Sequence, residues 1–188
     1  LGPTYTVLVP DSTSLVYDLS SNAVIDGLSF GAGSVFRFTN GTGLTVNGPA
    51  LIKGQIEATG DGSAFRAPAN VTVLQNNPRL LAGNGGQIQV GASTFIWDYF
   101  NASATLLSAV GTNSIVDLKS VSSMAVSYGD SGSWTYSVNA RTNGLLDLSG
   151  VVQLTGPTQD DWLEFNVDTG ASLKFDSLRR MSGRTRFN

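Results

Sequence analysis

Cysteine and histidine are both missing from this chain. Their absence removes disulfides, thiolate nucleophiles, imidazole metal ligands and every Ser-His or Cys-His catalytic arrangement together. It does not fix the compartment, because a secreted protein with an extensive core needs no disulfide. Charge is scarce too: 13% of residues are Asp, Glu, Lys or Arg, well under the usual quarter, and helix-favouring Glu and Lys are nearly missing. No run of eighteen apolar residues occurs, nor a basic segment followed by an apolar one, so neither membrane insertion nor a signal segment is expected. A net charge of −3 and a pI near 4.7 argue against nucleic acid and anionic membrane surfaces as partners. The sequence holds no phosphate-binding loop, dinucleotide fingerprint or GxSxG, and only an isolated TYT in place of the Thr-x-Thr ladder of an ice-binding solenoid.

Apolar residues make up 41% of the 188 positions, enough for one domain with a sizeable core. With 22 glycines and many Ser, Thr and Asn clusters, the composition describes an all-β chain rich in turns. The start at Leu1, without Met, reads as a processed chain or a segment of something larger.

GSVFRF at 33–38 returns as GSAFRA at 62–67. Taking Phe36 as reference, equivalent positions fall at Phe65, Ile88, Val116, Leu146 and Leu173, a spacing near 27 residues. Three residues earlier stands Gly33, Gly62, Gly85, Asn113, Asn143 or Gly170, each tolerant of positive φ at a corner. One residue later stands Arg37, Arg66, Gln89, Asp117, Asp147 or Lys174, and after that an apolar residue again, the alternation of a half-buried strand. Strand ends at Phe30, Val110, Val138 and Val167 supply a further column. A fixed period of short strands and tight turns predicts coils stacked along one axis, with the phenylalanines stacked inside and the arginines outside.

These columns resemble the right-handed parallel β-helix of pectate lyases, phage tailspikes and bacterial surface adhesins. The resemblance covers residues 24–178, is architectural, and includes none of those families' catalytic motifs. It implies a single β-solenoid domain of about six rungs: residues 1–23 as a cap or first strands, 24–178 as rungs, and 179–188 as a basic end. A β-sandwich or jelly roll is the alternative, since it too shows many short strands.

Four groups of residues could carry chemistry. Asp117 and Asp147 share an outward column in adjacent rungs, about 4.8 Å apart; such a pair suits a retaining glycosidase or a Ca²⁺ clamp, or else a solvated face beside Lys174. Phe95, Trp97 and Tyr99 alternate with Ile96, Asp98 and Phe100. Their rings, with Trp134, Tyr136 and Trp162 in the following rungs, read as a sugar-stacking surface or as core and interface. Asp160, Asp161 and Glu164 near Pro157 read as a solvated acidic turn or as metal ligands. Arg179, Arg180, Arg184 and Arg186 read as a dock for an acidic polysaccharide or as a polar end that discourages edge stacking. The glycosylation patterns at Asn40, Asn70 and Asn101 are no more frequent than chance allows.

Together these features lead to the expectation of a secreted or cell-surface, non-enzymatic solenoid module, from a surface protein or a phage appendage, that adheres or binds glycan. It needs no cofactor unless the Asp117–Asp147 pair holds Ca²⁺, and its partners are a glycan or a neighbouring chain, a second copy included. The alternatives are a lyase or hydrolase acting on an acidic polysaccharide, by analogy of fold alone, and a structural spacer or fibre subunit.

Overall fold

Runs of three to seven alternating residues, interrupted by Gly, Asn and Ser turns, can form short strands but no amphipathic helix. The computed structural model describes residues 4–17, 21–98, 102–126 and 132–188, and among these the regular elements are 21 strands, with no helix. All the strand pairings are parallel. The chain is therefore a β-solenoid, of about seven turns rather than six.

Each turn visits three faces. Face 1 comprises Thr6–Val9, Gly27–Phe30, Ala50–Ile52, the second halves of Ala64–Leu74 and Gln87–Trp97, then Ser123–Val126, Gln153–Thr155 and Arg180–Ser182. Face 2 is a separate eight-stranded sheet running from Ser14–Tyr17 to Thr185–Phe187. Face 3 comprises Ala23–Ile25, Gly43–Val46, the first halves of the two long strands, then Ile115–Asp117, Leu145–Asp147 and Ser172–Lys174. Ala64–Leu74 and Gln87–Trp97 pass from face 3 to face 1 without a break, which joins those two faces into one 13-stranded sheet.

The register corrects the first columns. Phe36 lies on face 2, paired with Ile56, whereas Phe65 lies on face 3, paired with Leu44 and Ile88. The face 3 column is Ala23, Leu44, Phe65, Ile88, Val116, Leu146 and Leu173, with steps of 21, 21, 23, 28, 30 and 27 residues. The short early turns are why one rung was missed. Val110, Val138 and Val167 do share face 2 but not a column, since Val110 pairs with Arg141 and Val138 with Phe165. Phe30 is on face 1.

The corner explains why GSVFRF and GSAFRA look alike. Between faces 2 and 3, Gly41, Gly62, Gly85, Asn113, Asn143 and Gly170 all adopt positive φ, from 63° to 92°. Next to this position, the Ser63 hydroxyl donates to Thr59 O at 2.8 Å and accepts the Gly41 N–H at 3.1 Å. Ser114 repeats the pattern two turns further along, donating to Val110 O and accepting from Gly85 N–H. Gly33 and Ser34 build a similar joint between faces 1 and 2: φ of Gly33 is 67°, and Ser34 donates to Pro10 O and accepts from Thr13 N–H. The two hexapeptides share a turn chemistry and sit on different walls.

Inward residues from the three faces fill one continuous core. Phe38 reaches across it to Phe65, ring centroids 5.7 Å apart. Outside, Arg37 pairs with Glu57 on face 2 and Arg66 donates to Gln87 on face 3, so inside and outside are as expected although the arginines do not stack on each other.

Candidate functional site

A long polar column stands on face 3, where alternation aims every second side chain outward. It runs Thr45, Arg66, Gln89, Asp117, Asp147, Lys174. Asp117 and Asp147 are direct neighbours in it. Asp117 accepts the Lys119 backbone N–H on Oδ1 at 3.1 Å, while its Oδ2 pairs with Lys119 Nζ at 3.2 Å and accepts from Gln89 at 3.4 Å. Asp147 accepts the Ser149 N–H at 3.1 Å and stands 3.8 Å from Lys174 Nζ. Each carboxylate thus has its own main-chain donor and its own lysine, which offsets their mutual repulsion. Among the described residues no three Asp or Glu side chains gather where a metal ion would sit. Beside this pair, Pro68, Gln89, Asp117, Lys119 and Ser120 border a shallow cavity of about 150 Å³.

The aromatic set is placed differently from a sugar platform. Trp97 is 2% exposed and Tyr136 fully buried, their ring centroids 6.1 Å apart inside the core. Burial corrects their reading as sugar contacts: alternation along Gln87–Trp97 sends Phe95 and Trp97 inward, and Tyr136 is the inward residue of its strand. Trp134 is half-buried against the core. Asp98 is exposed, its N–H donating to Asn76 O at 2.9 Å. Tyr99 and Phe100 lie outside the described residues.

The last turns hold an arrangement that their sequence did not reveal. Arg184 and Arg186 both lie over the Trp162 ring, 4.4 and 4.9 Å from its centroid. Arg184 also pairs with Asp160 at 3.1 Å, and Arg186 with Glu164. Arg179 and Arg180 are exposed. Asp161 is not a solvated turn residue: it is buried and accepts the Trp134 N–H at 2.8 Å across one turn. The signal was present as W-x-E at 162–164 and R-x-R at 184–186, which the register sets face to face.

Two features had no motif at all. On face 2, Arg79 is half-buried, donates to Thr105 O at 2.7 Å, and burial lowers its pKa against the opposing influence of Glu57. On face 1 an open cavity of about 570 Å³ spans the first four turns, between Thr6 and Asp26 on one side and Gln75 on the other. Its floor comes from residues far apart in sequence, brought into line by the ladder.

Compared with protein-family models, with curated proteins and with solved structures, the chain shows no significant match to any.

Proposed function

We propose that the chain is an extracellular, non-enzymatic solenoid module of a secreted, cell-surface or phage-appendage protein, and that its outer faces mediate adhesion or glycan binding. The observation that carries this reading is the set of outward polar columns on faces 2 and 3. Face 3 carries the Arg66–Gln89–Asp117–Asp147–Lys174 column. Face 2 carries an asparagine ladder, in which Asn188 donates to Asn166 and Asn166 to Asn139, each at 2.9 Å. Such groups stand about 4.8 Å apart and already ordered, so a repetitive ligand meets donors and acceptors at regular spacing and little side-chain entropy is lost on binding.

The partners on this reading are a glycan or a neighbouring chain, with no cofactor. The lyase reading draws on the Asp117–Asp147 pair alone, and those carboxylates are engaged by Lys119 and Lys174. A glycan array probed with the intact chain tests the proposal. Saturable binding to a defined group of glycans is expected; a silent array together with no adhesion to intact cells would reduce the module to a spacer.

A further inference from the structure

We propose that the cavity on face 1 is a binding site for neutral pyranose units of a glycan. The inference rests on the adhesive reading above and names a site and a ligand class for it. Ser29, Leu51 and Val73 occupy one outward column, so the cavity floor is a strip with two aliphatic side chains about 4.8 Å apart. Val73 is 43% exposed. Thr6 and Asp26 rise beside this strip and Gln75 borders it.

The polar groups around the strip are unengaged. One Asp26 oxygen accepts the Tyr5 N–H at 2.8 Å; the other has no hydrogen-bond partner among the described residues. The side chains of Thr6, Ser29 and Gln75 likewise make no hydrogen bond to any described residue. A purely apolar partner would seal these groups away from water without partners, at a cost for each. A pyranose matches both halves of the surface: its C–H face lies on aliphatic carbon, and its hydroxyls donate to carboxylate and amide oxygens and accept from hydroxyl and amide hydrogens.

Charge selects within the sugars. No lysine or arginine lines the cavity, and Asp26 supplies a carboxylate, so a uronate or sulfated unit would meet like charge with nothing to offset it. The volume of about 570 Å³ falls in the range of about 300–1,000 Å³ usual for small-ligand sites.

Affinity electrophoresis of the intact chain through gels containing dextran, galactomannan, xyloglucan or polygalacturonate tests the inference. Ser29→Trp fills the cavity and Gln75→Ala removes one polar wall, while Asp117→Asn alters face 3 only; circular dichroism checks that each variant is folded, and Gln75→Ala decides the matter if Ser29→Trp is not. Retardation by at least one neutral polysaccharide is expected, weakened tenfold or more by either cavity variant. Retardation by polygalacturonate alone overturns the ligand class. Loss of retardation in Asp117→Asn, with the cavity variants unaffected, overturns the site and leaves the adhesive reading standing. No retardation in any gel overturns the inference, and a silent glycan array is then the separate result that removes the adhesive reading too.

Discussion

Replacing Leu146 with aspartate inserts a carboxyl group into the stacked interior, between Val116 and Leu173 of the adjacent turns. Leu146 has no exposed surface, so its loss removes about 1.5–3 kcal/mol of apolar burial. The new carboxyl must be buried neutral: raising its pKa from about 4 to beyond 7 costs about 4 kcal/mol at about 1.36 kcal/mol per unit. The combined loss is about 6 kcal/mol, comparable to the entire stability of many domains, which lies at about 5–15 kcal/mol. The adjacent change, Asp147→Leu, has a different outcome. It gives up the bond to the Ser149 N–H, worth about 1 kcal/mol, and a partly exposed contact with Lys174, worth about 0–1 kcal/mol, while relieving repulsion from Asp117. A net loss of about 1 kcal/mol is expected. Urea unfolding followed by the fluorescence of Trp97, Trp134 and Trp162, which flank this turn, reads both variants. Leu146→Asp should abolish the native baseline of the central turns and Asp147→Leu should shift the midpoint slightly. Equal losses would refute the assignment of inward and outward columns, and a reversed order would mean a register wrong by one residue.

Circular dichroism should show β structure with little helix; a helical signal above about a quarter of residues would reject the fold. Calcium should leave the melting temperature unchanged, because Asp117 and Asp147 are engaged by lysines; tight binding would add about 2.7 kcal/mol at a hundredfold excess over Kd, and a rise that vanishes in Asp147→Ala would revive the cation site. Gly85→Ala places a Cβ against Asp61 at a φ of 92°, so a loss of at least about 1–2 kcal/mol is expected on chemical denaturation, whereas Asn113→Gly in the same column should stay within about 1 kcal/mol of the parent. Trp162→Ala removes the ring between Arg184 and Arg186 and should cost about 1–2 kcal/mol, less in high salt; no loss would show the stack to be idle.

The architecture was legible because each strand is short and half-buried: inward Phe65, Ile88, Val116 and Leu146 alternate with outward Arg66, Gln89, Asp117 and Asp147, and Gly or Asn marks the corner before them. Register in the first turns was not legible. Gly33-Ser34 and Gly62-Ser63 perform the same bend at different corners, so local chemistry alone cannot say which wall a strand joins. The Asp117–Asp147 adjacency was readable from a fixed column, whereas the Trp162 stack and the face 1 cavity depend on side chains 22 or more residues apart meeting through that register. Trp97 misled for another reason: an aromatic residue in a strand with apolar residues on both sides gives no hint of which side faces the core.

Spin labels offer the most direct measurement, since a chain without cysteine accepts them at chosen sites alone. Thr45 serves as the fixed site, paired in turn with Asp117, Asp147 and Lys174, all replaced by labelled cysteine. These three lie three, four and five strands along the face 3 column from Thr45. Pulsed electron resonance should give distances growing by about 4.8 Å per strand, near about 14, 19 and 24 Å between backbones. Distances that fail to grow in that order, or that place Thr45 and Lys174 on adjacent strands, would contradict the stacked solenoid on which every proposed binding surface depends.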